Sequence, residues 1–187
     1  MKKSVGNKTW LYPTPALVVA TYDDAGQPNA MTAAWGGICC SKPPAVAVSL
    51  REATYSYGNI VNRKAFTVNV PAAEHAAAVD YFGMASGRDE NKFTRTGLTP
   101  VRSRLVDAPM VDEFPLVLEC RLLQTIKIGL HTQFVGEIMD VKIVETALDA
   151  DGVPDMSLLR PIIYAPGSQQ YFGIGDPLGR AFSLGRK

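Results

Sequence analysis

The segment "SLREATYS", Ser49 to Ser56, gathers hydroxyl side chains around a cation, and "ENKF", Glu90 to Phe93, adds a second cation. Hydroxyls at a helix N-terminus, together with Arg51 and Lys92, are the donors that hold a phosphate group. Upstream, "NAMTAAWGGICC", Asn29 to Cys40, packs small residues around one Met and one Trp, with Asn29 and Thr32 as polar members. Little side-chain bulk lets a planar molecule lie close to backbone amides. The two patterns together suit a flat ring with a phosphate tail. Each feature also has a plainer use: small residues permit tight packing between strands, Thr54 can cap a helix, and Lys92 can be a solvated surface charge.

Other chemistries lack the residues they need. "GIGDPLG", Gly173 to Gly179, has G-x-G-x-x-x-G spacing, but eight residues follow it, too few for the helix and second strand of a dinucleotide fold. A glycine-rich terminal turn is the expectation there. No G-x-S-x-G elbow occurs, and no base neighbours Cys39, Cys40 or Cys120 in the sequence. The two histidines, His75 and His131, stand far apart with no C-x-x-C or H-x-x-x-H spacing, so no metal site is expected. Adjacent cysteines make a poor disulfide framework, and buried free thiols in a reducing cytoplasm fit better.

The elements that must position these residues are mostly strands. "PALVVATYDD" is a β-branched apolar run closed by "DDAGQPN", which predicts a first hairpin leading into the Asn29 stretch. "AVAVSL" and "AFTVNV" read as further strands, and between them Thr54 is placed to cap a short helix. "PAAEHAAAVDYFG" predicts a helix that begins near Pro71 and stops at Gly83. "PLVLECRLLQTIKIG" and "TQFVGEIMDVKIVE" read as two long strands joined near Gly129 to His131. At least six strands with two or three helices, and no β-α-β alternation, predict one mainly β domain over residues 1–187, a closed or nearly closed antiparallel barrel.

Composition agrees with a globular chain: 187 residues, 47% hydrophobic and 20% charged. A net charge of +1 with both signs interspersed suggests no nucleic-acid partner. "MKKSVGNKTW" carries lysines without an apolar run behind them, and no stretch approaches a membrane span, so a soluble cytoplasmic protein without membrane attachment is expected.

In order and spacing, "NAMTAAW", "SLREATYS", "FTVNVP", "SGRDENKF", "HTQFVGEIMDV" and "YFGIG" resemble the flavin reductase-like family of FMN-binding split barrels. The resemblance runs from about Thr14 to Gly175. It implies a split β-barrel with a few peripheral helices, forming a homodimer that holds FMN non-covalently near the subunit interface. Asn29, Met31, Thr32 and the backbone of Ala33, Ala34 and Trp35 resemble the wall beside the isoalloxazine ring. Ser49, Leu50, Arg51, Thr54 and Ser56 resemble the segment that follows the ribityl chain to the phosphate. Lys92 would add a charge there or near the ring, His131 resembles a family histidine near the flavin, and Tyr164 stands where an aromatic side chain covers it. Asn69 resembles a motif residue or simply ends a strand, and "ETALDADGVPDMSLLRPIIYAPG" resembles an extension reaching across a dimer.

The activity implied is FMN-dependent oxidoreduction, with electrons from NAD(P)H or another reduced carrier passed to a flavin, a metal complex or a protein. Reduced flavin carries negative charge at its pyrimidine edge, so a cation such as Lys92 or His131 would raise its potential. An electron carrier between partner proteins and a noncatalytic flavin-binding module are the alternatives. No catalytic residue is nominated, because the ring itself does the chemistry.

Overall fold

The structure, a computed structural model, describes residues 1–186. Its organisation is visible in the first apolar run. After a short strand β1 (Thr14–Pro15), strand β2 (Leu17–Tyr22) has both faces buried: Leu17 and Val19 enter one core, while Ala16, Val18 and Ala20 enter another. A strand covered on both sides reads as a continuous apolar run instead of alternating. Asp23 closes the turn after β2 by accepting from the backbone amides of Ala25 and Gln27, and β3 (Pro28–Ala33) returns antiparallel to β2.

The chain continues through β4 (Gly36–Ser41), β5 (Pro44–Arg51), helix α1 (Tyr55–Arg63) and β6 (Ala65–Val70). Next come α2 (Ala76–Met84), α3 (Lys92–Thr96), β7 (Pro100–Arg102) and β8 (Pro109–Val111). Two long strands, β9 (Leu116–Ile128) and β10 (His131–Ile143), then form a hairpin. The remainder is α4 (Met156–Leu159), β11 (Ile163–Ala165) and β12 (Gln170–Phe172).

Seven strands make one antiparallel sheet in the order β3-β2-β6-β9-β10-β5-β4. It curls into a split β-barrel filled by Leu17, Val48, Leu50, Ile60, Phe66 and Phe134 among others. Close packing sets the residue at Gly136, where a Cβ would lie 2.6 Å from the Phe66 ring. Outside the barrel, α2 and α3 cover the other face of β2 and β3 through Val79, Phe82 and Phe93. This second layer brings the segment between α2 and α3 beside the Asn29 strand.

Several expectations are corrected. Thr54 does occupy the position before α1, but its hydroxyl donates to the Arg51 carbonyl at 2.8 Å and caps no helix amide. A tight Arg51–Thr54 turn has captured that hydroxyl. The helix expected from Pro71 divides into a 3₁₀ turn over Ala73–His75 and α2, which runs past Gly83 to Met84. Cys39 and Cys40 are exposed rather than buried, because β4 is the outer edge strand of the sheet; only Cys120 is interior, and burial pushes its thiol up to about 12. Apart from these corrections, the segment after Glu145 packs in part on its own chain, with Leu159, Ile162 and Ala165 buried and β11 paired with β1 and β12. Gly173 to Gly179 form no regular element, and no helix among the described residues is long and apolar enough to cross a membrane.

Candidate functional site

Lys92 is the first residue of α3, whose start is set by Asn91, the side chain of which accepts from the Thr94 amide at 3.0 Å. That start turns Lys92 inward, and the residue is only 3% exposed. Its Nζ donates to the carbonyls of Phe82 and Ala85, each at 3.2 Å, and lies 5.8 Å from the Phe82 ring centroid. Among the described residues no carboxylate forms an ion pair with it. Burial pushes its pKa down to about 8, and the charge of Glu90 offsets this in part. A buried ammonium without a counter-charge is costly, so an anion in its neighbourhood would be strongly favoured.

Asn29, on β3, completes the same cleft. Its amide nitrogen donates to the Ser56 hydroxyl at 2.9 Å, and Ser56, in the first turn of α1, is fully buried. The Asn29 carbonyl oxygen is buried and has no hydrogen-bond partner. Gly87 passes so close that a Cβ there would stand 2.1 Å from this oxygen. Asn29, Met31, Thr54, Ser56, Gly87 and Lys92 thus border a cleft of about 220 Å³. Arg88 forms part of its rim, stacked 5.4 Å from the Tyr55 ring centroid and donating to the Ala53 carbonyl at 2.9 Å. Tyr55 is itself fixed by donating to Asp23 at 2.9 Å.

A wider cleft of about 530 Å³ adjoins the first, and Gly83 and Met84 line both. Its walls include Thr32, Ala34, Tyr164 and Tyr171. The two tyrosine rings pair with centroids 5.4 Å apart. The Thr32 hydroxyl donates to the Val79 carbonyl of α2, so it has only lone pairs left to offer a ligand.

The fold therefore gathers eight of the expected residues, Asn29, Met31, Thr54, Ser56 and Lys92 in one cleft and Thr32, Ala34 and Tyr164 in the next. Ala33 and Leu50 instead belong to the barrel interior. Ser49 donates its amide to the Trp35 carbonyl at 2.8 Å, and neither residue lines the clefts. Arg51 and His131 are partners across the β5–β10 ladder at the end of the long hairpin, also outside both clefts. Asn69 is fully engaged in structure: it donates to the Val18 carbonyl and the Thr67 hydroxyl and accepts from the Val111 amide. Gly87, Arg88, Asp80 and Tyr171 line the clefts but escaped the reading from sequence. For Gly87 and Arg88 a signal was present, since they stand within "SGRDENKF". Among the described residues no three His, Cys, Asp or Glu side chains are grouped to hold a metal.

The antiparallel split barrel that carries these clefts is shared with known proteins. Residues 9–173 match the flavin reductase like domain, and the chain belongs to that family, a group of flavoprotein oxidoreductases. It is similar over its whole length to flavoredoxin of Desulfovibrio vulgaris (Miyazaki F), with 51% identity, a TM-score of 0.96 and full coverage of both chains. Flavoredoxin from Methanosarcina acetivorans is 28% identical with a TM-score of 0.93, over 100% of this chain and 98% of that one. An uncharacterized protein of Archaeoglobus fulgidus is 35% identical over 150 residues, 79% of this chain and 81% of that protein.

Proposed function

We propose that the chain binds FMN non-covalently and acts as an FMN-dependent oxidoreductase. Electrons would come from NAD(P)H or another reduced carrier and pass to a flavin, a metal complex or a protein. The observation that carries this reading is the buried ammonium of Lys92 at the wall of the cleft, bonded to two carbonyls and without a carboxylate partner among the described residues. FMN fits the groups present: it brings negative charge for Lys92 and a ring N–H for the orphaned oxygen of Asn29. Bound FMN would supply the electron-accepting and electron-donating ring. Lys92 holds a positive charge where negative charge develops, Asn29 and Ser56 orient the polar edge, and the small side chains at Gly87 and Ala34 leave room for a flat molecule.

FMN binding comes to this chain by its membership of the flavin reductase like family and its likeness to flavoredoxin. A homodimer with FMN near its interface belongs to the same proposal. Its support is the far half of the β9–β10 hairpin, where Leu123, Ile126, Ile128 and Leu130 are exposed, as is Ile38 of the edge strand β4. Apolar surface of this kind calls for a cover, which a second copy would supply. A reducing cytoplasm would keep the exposed Cys39 and Cys40 as thiols.

The 51% identity to a flavoredoxin favours a second reading, an electron carrier served by protein partners. One experiment separates the two: an anaerobic visible spectrum of FMN-loaded protein before and after NADH, then NADPH. Bleaching by either nucleotide establishes a reductase and its donor. Flavin bands that persist until dithionite is added favour the carrier, and failure to retain FMN overturns both.

A further inference from the structure

Strand β4 carries two neighbouring thiols that neither the barrel interior nor the clefts use. Cys39 and Cys40 are both exposed and free, and β4 is an edge strand with β5 as its sole neighbour in the sheet. The β4–β5 ladder is irregular at this point. Ile38 stands opposite Val46 and Cys40 opposite Ala45, so Cys39 is an extra residue with no partner on β5. Neighbouring residues of a regular strand point to opposite faces, and one extra residue suspends that alternation for a single step. Val46 faces the barrel interior and its neighbour Ala45 faces the other side, so Ile38 and Cys40 lie on opposite faces of β4.

We propose that the bulge turns the thiols of Cys39 and Cys40 to one side of β4 as a chelating dithiol, a site for a soft, thiophilic centre that takes two sulfur ligands. The inference is independent of the FMN reading. Thiolates select soft centres, and among the described residues no three His, Cys, Asp or Glu side chains are grouped, so the four ligands that zinc prefers are not assembled here. A centre satisfied by two sulfurs is the one this pair suits. Cys120 cannot join it, because that thiol is fully buried and burial pushes its pKa up to about 12. Ile38, which a second copy would cover, faces away from Cys40, so the dithiol and the apolar surface occupy different sides of the strand. The second sulfur binds within one molecule, at an effective concentration that strengthens the contact about 100-fold or more over a single thiol.

The probe is phenylarsine oxide, whose reaction needs no oxidant. Two S–H bonds break and two As–S bonds form, the oxo oxygen leaves with both protons as water, and arsenic stays trivalent. With a chromogenic disulfide reagent, the thiols of Cys39 and Cys40 should react in the folded full chain and that of Cys120 only in urea. One equivalent of phenylarsine oxide should protect both exposed thiols. The adduct should resist excess 2-mercaptoethanol and yield to 2,3-dimercaptopropanol, a competing dithiol. Cys39→Ser and Cys40→Ser, both at exposed positions, should each weaken binding about 100-fold or more and leave an adduct that 2-mercaptoethanol strips. Urea unfolding of the two variants should match the wild-type protein. Exposed thiols that stay unreactive in the folded chain, failure of one equivalent to protect both, or a serine variant that binds as tightly as wild type overturns the inference.

Discussion

Replacing Lys92 by methionine should move stability and ligand affinity in opposite directions. Burial lowers the Lys92 pKa from 10.5 to about 8, which corresponds to about 3 kcal/mol against the charged form at neutral pH. Because the folded-state value is the lower one, the penalty is full below pH 8. Between about pH 8 and 10.5 the unfolded chain holds the proton that the folded protein has released, so the ligand-free protein gains stability as pH rises through this window. Lys92→Met removes the penalty but also removes hydrogen bonds to the Phe82 and Ala85 carbonyls, worth about 1 kcal/mol each. The ligand-free variant should therefore be about 1 kcal/mol more stable at pH 7, and should have lost that advantage by pH 10. FMN affinity should fall by about 10- to 100-fold, the usual weight of one charge-assisted contact. In the wild-type protein, affinity should decline as pH rises through 8 and Lys92 discharges. Urea unfolding of the ligand-free protein and fluorescence titration with FMN measure the two effects. A variant that is less stable at pH 7 yet binds FMN as tightly would refute the reasoning and make Lys92 a purely structural residue.

The other substitutions separate the cleft from the barrel. Gly87→Ala would drive a methyl group to 2.1 Å from the Asn29 oxygen, and FMN affinity should fall at least about tenfold, read from visible absorbance after gel filtration. Gly136→Ala would press on the Phe66 ring at 2.6 Å, and should cost roughly 1–3 kcal/mol in urea unfolding while FMN affinity stays at the wild-type value. Thr54→Val removes a hydroxyl that bonds the Arg51 carbonyl instead of a helix amide, so stability should drop by about 1 kcal/mol or less. A fivefold or larger loss of FMN affinity in that variant, measured by the same titration, would place Thr54 at the ligand; unchanged affinity would leave it only in the turn.

How far the residues disclosed the protein depends on the range of the interactions involved. The hairpin after Leu17, the strands at Ala45 and Ala65 and the long hairpin around Gly129 are local patterns of β-branched runs and turn residues, and all are present. The double-sided burial of β2 explains why its run reads as continuous instead of alternating. Exposure of Cys39 and Cys40 was not legible, because edge position depends on the order of seven strands and no local pattern records that order. The Thr54 cap failed for a similar reason at shorter range: the turn at Arg51 offered the hydroxyl a nearer acceptor.

The site residues divide along the same line. Those on the Asn29 strand and at the start of α1 are close in sequence to the motifs that mark them, so they could be nominated. The polypeptide that completes the cleft, Phe82 to Arg88, is brought there by the packing of Val79, Phe82 and Phe93 against the outer face of β2 and β3. That contact is between layers and leaves no spacing to read. It also determines the charge of the site, since the same packing that buries Lys92 beside Phe82 presents Asp80, on the same helix, to the adjoining cleft. One layer, docked on one face of the first hairpin, thus supplies both the cation expected to anchor an anionic cofactor and the Phe82–Arg88 backbone that walls its cleft.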